Sequence, residues 1–296
     1  NESEAGQKAA ELILKIYRNN TKMIEEFDRN KSIGGSDMPI ILGLSSYKTP
    51  YVLYLEKLGI VDKSYEETEA QYWGKTLEPV IINHFSKVNS VGIQKDLRPV
   101  FHKEHSFLHG TFDGFIDEWN AGLEVKCSDK FMRNEWGEDG SDSIPLSYLI
   151  QVAHYSMIAN VEKWYLCVLI GGNEYRQFIY NRDRELEESL LTASKEFWRC
   201  IQENIEPETK TLNDCRIKYN KVDPNKIITA DEAIKIELER LANTKSQMKE
   251  LKRIEENAQK SIMDYMQEAE CISDLDGKHL VTWKETKNGQ RRFLLK

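Results

Sequence analysis

Helical and strand-like segments alternate between residues 71 and 210, and this order constrains the fold more than any other feature of the chain. Apolar residues recur at helical spacing in three segments, at residues 77–88, 146–159 and 183–203. Apolar runs of strand length occupy four others, at residues 111–117, 122–127, 164–170 and 175–180. Helices that separate pairs of strands pack on a mixed sheet, so this order predicts an α/β fold.

Turn residues and a helical N-terminal part complete a predicted α/β domain at residues 1–210. The turns Asn120-Ala121-Gly122 and Gly171-Gly172-Asn173 separate the strands of the two pairs and predict hairpins. Ahead of the sheet, residues 9–17 and 49–58 have the apolar spacing of amphipathic helices.

A second module is predicted at residues 225–296, where the character of the chain changes. Thr229 and Glu232 have the spacing of a capping box, and the apolar residues after them recur every three or four positions. This pattern predicts a long helix that ends near residue 270. A turn at Asn288-Gly289 predicts a small β-hairpin over residues 279–296. The module fits docking or self-association, and a helix packed along the main domain is the alternative.

Composition limits the classes of function. With 40% hydrophobic and 10% aromatic residues the chain can bury a sizeable core. A net charge of −8 argues against a protein that coats DNA non-specifically, although a nuclease can confine its basic residues to one groove. Five widely spaced cysteines without a Cys-x-x-Cys pair give no support to zinc ribbons or iron–sulfur ligation. Without a long apolar span or a signal core, we expect a soluble, cytoplasmic protein that does not enter the membrane.

The chemical signal is a pair of acids beside a lysine. Asp113 lies in the predicted strand at 111–117, and Glu124 and Lys126 lie in the next one. With one residue between them, Glu124 and Lys126 point to the same face of the sheet, and pairing of the strands brings Asp113 towards Glu124. Two carboxylates in an apolar sheet are costly unless a cation compensates them, so we predict a divalent metal site.

A third acid, Glu78, lies near the start of the helix at 77–88 and completes the order Glu–Asp–Glu–Lys, which is typical of metal-dependent nucleases. Such a site uses Lys126 to position the attacking water or to stabilise charge on the scissile phosphate. The alternative is a hairpin with solvent-facing acids. That alternative explains poorly why Glu124 and Lys126 interrupt the apolar run of Leu123, Val125 and Cys127.

Two further features adjoin these residues. Tyr148 and Gln151 lie three positions apart in the helix at 146–159 and share one face. Tyr148 is a candidate phosphate contact and Gln151 a candidate to orient the lysine or the water, with a polar helix edge as the alternative. The turn Gly34-Gly35-Ser36-Asp37 precedes a short apolar run, and backbone amides at such a helix start favour an anion. A plain capped turn is the alternative there.

Several motifs together resemble a known family. Gly-Gly-Ser-Asp at 34–37, Ile-Leu-Gly-Leu-Ser at 41–45 and Tyr-Lys-Thr-Pro at 47–50 resemble the opening of the YqaJ-like viral recombinase family. That family is similar to the phage lambda exonuclease within the PD-(D/E)XK superfamily. The resemblance covers roughly residues 25–205 and implies a restriction-endonuclease-like core. Thr111-Phe112-Asp113 replaces the more usual Ser/Thr-Pro-Asp, and the acid is retained.

The resemblance also implies roles for individual residues. It implies that Mg²⁺, or Mn²⁺ in its place, is bound by Glu78, Asp113, Glu124 and the Val125 carbonyl. It implies that Lys126 is catalytic, with support from Tyr148 and Gln151. Arg29 and Ser36 match residues that hold the terminal phosphate of the resected strand.

At the level of the whole protein the resemblance implies an exonuclease acting on double-stranded DNA ends. It implies resection of the 5′-ended strand in phage recombination, a single-strand annealing protein as partner and a ring-shaped homo-oligomer. A structure-specific or Cas4-like endonuclease is one alternative, although the cysteine cluster of the iron–sulfur version is missing. A non-catalytic DNA-binding protein on the same fold is the other.

Two other groups of residues have competing interpretations. The cluster of His102, His105 and His109 suggests zinc, but no cysteine or His-Glu-x-x-His motif accompanies it, so surface or DNA-facing histidines are expected. Among aromatic residues near the acids, Trp73 is expected in the core. Phe131 and Trp136 stay open between core packing and stacking on DNA.

Overall fold

The computed structural model describes residues 27–61, 67–95 and 98–296, and the chain falls into two units that meet between Lys221 and Val222. The helix predicted at residues 9–17 lies outside the described residues. The helices of the first unit are α1 (Met38–Ile41), α2 (Pro50–Lys57), α3 (Glu69–Asn89), α4 (Leu146–Ala159), α5 (Arg184–Glu203) and α6 (Leu212–Lys218). Its strands are β1 (Val100–Phe101), β2 (His109–Gly110), β3 (Gly114–Ile116), β4 (Ala121–Ser128), β5 (Lys163–Ile170) and β6 (Glu174–Asn181).

The central sheet of the first unit is mixed and has the strand order β3-β4-β5-β6. Strands β3 and β4 pair antiparallel, β4 and β5 pair parallel, and β5 and β6 pair antiparallel. Because parallel neighbours need a crossover, α4 connects β4 to β5. Strands β1 and β2 form a separate two-stranded antiparallel sheet. The predicted α/β fold, with both hairpins, is confirmed.

Two apolar clusters cover the two faces of the central sheet. The larger one joins alternate residues of β5, such as Trp164 and Leu166, to buried residues of α2, α4 and α5. The smaller one joins Leu123 and Val125 of β4 to the buried face of α3. Successive side chains of a strand point to opposite faces, so Glu124 and Lys126 lie on the α4 side of β4.

Local signals explain where the main helices begin. A capping box formed by Thr68 and Gln71 starts α3 at Glu69, eight positions before the predicted start at residue 77. Asp183 caps α5 by accepting a hydrogen bond from the backbone of Leu186. Helix α4 has the bounds predicted from its apolar pattern, 146–159.

Helix α6 was not predicted from the sequence. It lies beyond residue 210 but within the first unit. The fully buried Asp214 accepts a hydrogen bond from the hydroxyl of Thr49, the N-cap of α2, at 2.9 Å. Backbone N–H groups of Lys210 and Thr211 donate to the same carboxylate. One buried acid therefore ties this segment to the start of α2.

The second unit consists of a long helix and a small sheet. Its elements are α7 (Glu232–Met266), β7 (Cys271–Ser273), β8 (His279–Glu285) and β9 (Arg291–Leu295). The predicted helix and hairpin are confirmed, and β7 adds an unpredicted third antiparallel strand beside β8. The predicted capping box at Thr229 is wrong. Asp231 is the N-cap, because its carboxylate accepts the backbone N–H of Ile234.

In the part of the chain that the structure describes, none of the helices combines the length and the apolar character required to cross a bilayer.

Candidate active site

The site begins at the open end of the β3–β4 ladder. Pairing between these strands runs from Ile116–Ala121 to Gly114–Leu123 and then stops. Beyond the last pair, the N–H of Val125 on β4 donates to the carboxylate of Asp113 at 2.8 Å instead of to a carbonyl of β3. Asp113 therefore lies just before β3 rather than inside it, and the predicted strand at 111–117 is too long. The end of the ladder holds this acid beside β4.

Glu124 is the buried centre of the site, with 2% of its surface exposed. Its Oε1 accepts hydrogen bonds from the ammonium of Lys126 and, at 2.9 Å, from the side-chain amide of Gln151. Its Oε2 is buried and has no hydrogen-bond partner among the described residues. An ionised carboxylate whose second oxygen is buried without a donor is costly, because the only group close to Oε2 that can share a proton with it among the described residues is the second acid, Asp113.

Burial dominates the electrostatics of these groups. It raises the pKa of Glu124 to about 8, an effect that Lys126 opposes and Asp113 reinforces. Burial also raises the pKa of Asp113, although Lys126 and the Val125 N–H act against it. Burial lowers the pKa of Lys126, but the carboxylates of Glu124 and Asp113 outweigh it and hold that pKa above its ordinary value. The pair of acids thus retains a proton until a further positive charge is supplied.

These residues fit a hard divalent cation. The buried, unpartnered oxygen of Glu124 lies beside a second acid, and carboxylate oxygens are the ligands that Mg²⁺ prefers. The third predicted acid is less closely placed. Glu78 is half-buried on α3, which covers the opposite face of the sheet, and burial followed by the charge of Asp113 raises its pKa. Within the described ranges, no three acidic, histidine or cysteine side chains are gathered as a ready metal cage.

Helix α4 supplies the residues that surround the acid pair and the lysine. Gln151 donates both to Glu124 and to the hydroxyl of Tyr155 at 2.9 Å. The ring of Tyr148 lies 5.3 Å from the ammonium of Lys126 and stacks on Trp136. The structure therefore brings Gln151 to Glu124 and Tyr148 to Lys126. Tyr155 was missed, although its position four residues after Gln151 on the same helix face was a usable signal.

The glycine turn at 34–37 approaches the same helix. A Cβ on Gly35 would lie 2.4 Å from the ring of Tyr155, so only glycine allows this approach. The N–H of Ile33 donates to the carbonyl of Phe107 at 2.7 Å, and its carbonyl accepts from His109, so the turn is fastened beside β2. Because Tyr155 also contacts Gln151, one tyrosine links the turn to the acid-bearing part of the site.

The side chains of Arg29 and Ser36, on short 3₁₀ turns at either end of this segment, are exposed. Asp28 caps the first turn through the backbone of Asn30. The positive charge of Arg29 lowers the pKa of the Tyr155 hydroxyl, against a larger increase from burial and a further one from Glu124. Arg29 therefore lies within electrostatic reach of the site. Val125, the remaining predicted ligand, packs its side chain in the smaller apolar cluster.

The three histidines do not form a metal site in the described part of the chain. His102 and His105 stack on each other, whereas His109 is buried against the ring of Phe27. The expectation of surface or DNA-facing histidines is wrong for His109. Its carbonyl contacts Nε2 of the fully buried His154 at 2.8 Å. Burial lowers the pKa of both His109 and His154 to about 4, so both are neutral at pH 7.

The aromatic residues near the acids separate into three environments. Trp73 is 52% exposed on α3, so its predicted core position is wrong. Trp136 is buried against Phe178 and donates its indole N–H to Ser128. Phe131, on the 3₁₀ turn that follows β4, is 82% exposed.

Comparison with known proteins gives the family. The family model described as the YqaJ-like viral recombinase domain matches residues 26–162. The chain is 30% identical over 287 residues to the protein YqaJ of Bacillus subtilis (strain 168), an alignment that covers 94% of this chain and 87% of that protein.

Solved structures of similar shape were also found. An alkaline exonuclease, LHK-Exo, from Laribacter hongkongensis matches with a TM-score of 0.49 at 14% identity, over 60% of this chain and 91% of that one. A phage related exonuclease from Haemophilus somnus 129PT matches with a TM-score of 0.43 at 14% identity, over 58% of this chain and 96% of that one.

The mixed sheet with helices on both faces, and the acid–x–lysine pair on its second strand, define the restriction-endonuclease-like α/β class. Within that class, the chain belongs to the YqaJ-like viral recombinase family. The family predicted from the turn at 34–37 and the segments that follow it is confirmed.

Proposed function

We propose that this protein is a Mg²⁺-dependent exonuclease that hydrolyses phosphodiester bonds of linear double-stranded DNA and resects the 5′-ended strand. The observation that carries the proposal is Glu124, a buried acid whose Oε2 has no partner among the described residues while Oε1 is held by Lys126 and Gln151. A carboxylate held so firmly on one oxygen and left bare on the other is arranged for a cation. The family and the names of the similar structures support a nuclease.

The residues divide into groups with different tasks. Asp113 and Glu124 would hold the metal, with Glu78 of α3 and the Val125 carbonyl as further ligands. When bound, Mg²⁺ supplies charge stabilisation at the phosphate and lowers the pKa of a coordinated water. Mn²⁺ is expected to substitute for it.

Lys126 stays protonated beside the acids, because their charges hold its pKa above the ordinary value. Its ammonium can therefore stabilise negative charge that develops on the scissile phosphate. Gln151 fixes the Glu124 carboxylate through a hydrogen bond of 2.9 Å, and the ring of Tyr148 limits where the ammonium can move. Both residues thus orient the groups that contact the substrate.

Arg29 and Ser36 would bind the terminal phosphate of the DNA. Their side chains are exposed, and the segment between them packs through Gly35 against Tyr155 of the acid-bearing helix. An arginine and a hydroxyl are a good pair for a phosphate, since both donate hydrogen bonds to its oxygens. A grip on the end phosphate favours exonuclease over endonuclease activity.

In its biological setting we propose that the protein acts in phage-type homologous recombination in the bacterial cytoplasm. A single-strand annealing protein is the proposed partner, because resection exposes the strand that such a protein binds. A ring-shaped homo-oligomer is proposed to enclose the DNA and give processivity. The family description as a viral recombinase supports this setting.

The test uses linear duplex DNA labelled in separate samples at the 5′ or the 3′ end of one strand, a covalently closed circle of the same sequence, and Mg²⁺. We expect progressive loss of the 5′-ended strand from linear DNA only, and at least about 10²-fold slower loss with Lys126→Ala. Lys163→Ala, an exposed lysine at the start of β5, is the matched control and should retain full activity. Cutting of the circle would instead indicate an endonuclease, and no cutting with any divalent cation would indicate a DNA-binding protein.

A further inference from the structure

Lys57, the last residue of α2, is a buried lysine that the proposed chemistry does not use. Only 2% of its side chain is exposed. Its ammonium donates to the carbonyl of Arg29 at 2.8 Å, to the carbonyl of Ser32 at 2.6 Å and to the carboxylate of Asp37 at 2.6 Å. These are as many acceptors as an ammonium has N–H groups, so this side chain cannot also bind DNA.

These three acceptors, all among the described residues, belong to one short segment, residues 29–37. The Arg29 carbonyl lies at its start, the Ser32 carbonyl in its middle and the Asp37 carboxylate at its end. The same oxygen of Asp37 also accepts the backbone N–H of Gly34 at 3.0 Å. Lys57 and Asp37 together therefore close the segment into a fixed loop from the inside.

The outer side of this loop carries the two residues assigned to the terminal phosphate. Arg29 and Ser36 are exposed, while Ser32 and Gly35 between them are buried. Two groups that grip one phosphate must keep a constant separation, because a misplacement of about 1 Å can cost up to about 10²-fold in rate. Here that separation is set by contacts beneath the loop, since each exposed side chain lies next to an atom that Lys57 holds.

We propose that Lys57, paired with Asp37, is a positioning residue that makes the protein select DNA ends with a 5′-phosphate over ends with a 5′-hydroxyl. The proposal rests on the proposed function, in which Arg29 and Ser36 bind that phosphate. Lys57 does not contact DNA. It fixes the distance between the two residues that do, and the preference for a phosphate is lost when that distance is no longer fixed.

The experiment measures binding without divalent cations, so that it does not depend on hydrolysis. A hairpin duplex with a single blunt end is prepared with either a 5′-phosphate or a 5′-hydroxyl, and its Kd is measured by fluorescence anisotropy in EDTA. We expect the wild-type protein to prefer the phosphorylated end. In Lys57→Met and in Asp37→Asn that preference should fall by about fivefold or more, because the end phosphate loses paired, charge-assisted contacts.

Lys48→Met is the matched control, a lysine that lies just before α2 and pairs with a residue of that helix. Lys48 forms an ion pair of 2.7 Å with Glu56 of α2, away from the loop, and its loss should leave the preference unchanged. If Lys57→Met shows no cooperative unfolding transition, it is not properly folded and Asp37→Asn alone tests the proposal. Asparagine keeps an acceptor for the N–H of Gly34, so this variant retains that contact of the loop.

Three results would overturn the inference: a wild-type protein without preference for the phosphate, variants that keep the wild-type preference, or equal weakening at both kinds of end. The last result would mean that Lys57 is only a structural ion pair. Failure of the wild-type protein to degrade linear DNA with Mg²⁺ would contradict the proposed function instead. The two failures are therefore distinguishable.

Discussion

The two units of the chain have similar apolar patterns but differ in how far the apolar side chains are buried. In the first unit, apolar side chains on both faces of a sheet are buried under helices. In the second, α7 has an equally regular apolar pattern, yet most of its large apolar side chains are exposed: Ile234, Leu238, Leu241, Met248, Leu251 and Ile254. Met266 and Val281 are the large apolar side chains that are buried in the described second unit.

This difference in burial explains why the candidate reactive groups lie in the first unit. The raised pKa values of Asp113 and Glu124 are caused first by burial, and burial requires the two-sided covering of the sheet. The acids of α7, such as Glu250 and Asp264, form ion pairs with basic neighbours on the same helix and stay in water. Surface pairs of that kind contribute little to stability and create no reactive group.

The largest expected effect comes from removing the charge of Asp113. Asp113→Asn should reduce the rate of DNA hydrolysis by at least about 10²-fold, because the cation loses a charged ligand. The free energy of unfolding should not fall, since the amide oxygen can still accept the N–H of Val125 and a buried charge is gone. Nuclease assays and urea unfolding measure the two quantities.

The matched control for that variant is Asp264→Asn in the second unit, where Lys260 is the exposed partner. It should change neither activity nor the free energy of unfolding, the latter by no more than about 0.5 kcal/mol. A large loss of activity in this variant would mean that the second unit takes part in the reaction, and the contrast between the units would fail.

The next effect concerns stability. Leu166 of β5 is fully buried, and Leu166→Ala should lower the free energy of unfolding by about 2–5 kcal/mol through lost contacts and a cavity. Leu251 of α7 is exposed, and Leu251→Ala should cost no more than about 0.5 kcal/mol. Urea unfolding followed by circular dichroism compares them. Equal losses for the two variants would show that the apolar face of α7 is covered in solution.

The smallest expected effect is a dependence of stability on pH. The pKa of His154 falls from 6.5 to about 4 on folding, so its stabilising contribution is present above pH 6.5 and is lost as the pH falls through about 4. The loss should be on the order of 2–3 kcal/mol in wild-type protein. In His154→Gln it should be absent, because glutamine does not titrate.

The difference in the free energy of unfolding between wild type and His154→Gln, measured as a function of pH, isolates the contribution of His154. The pKa of Glu124 is raised to about 8, so its cost to stability grows as the pH rises from 4.5 through 8, which is the opposite sign. That cost is present in both proteins and cancels. The contribution of His109 cancels in large part, because burial is the main cause of its lowered pKa and the charge of His154 is a smaller one. A difference between them that does not vary with pH between 4 and 6.5 would contradict a buried, neutral His154.

Much of the fold and part of the candidate site were predictable from the sequence. Helix α4 has the predicted bounds because its apolar run ends at Asn160, which adopts a left-handed conformation and stops the helix. The placement of Glu124 and Lys126 on one face follows from the two-residue period of a strand. Tyr148 reaches Lys126 and Gln151 reaches Glu124 because the two share a helix face, as their spacing predicted.

Other features depended on contacts between distant segments. Trp73 is exposed and His109 buried, the reverse of the expectations, because exposure depends on which element covers a residue. The N-cap of α7 is Asp231 and not the predicted Thr229. Threonine and aspartate both suit an N-cap, so the residue at which the helix begins decides which of them has that role. Helix α6 was missed because its anchor, Asp214, bonds to Thr49, a residue far away in the chain.

The sequence by itself determined the alternation of elements, the face on which each acid lies and the family, because these depend on local periodicity and on short motifs. Only the tertiary structure decided which oxygen of Glu124 is left without a partner, which face of the sheet is covered by the helix that carries Glu78, and that Lys57 closes the loop at 29–37. The physical reason is that burial and hydrogen-bond partners are set by segments distant in the chain, and no local pattern records which of them will meet.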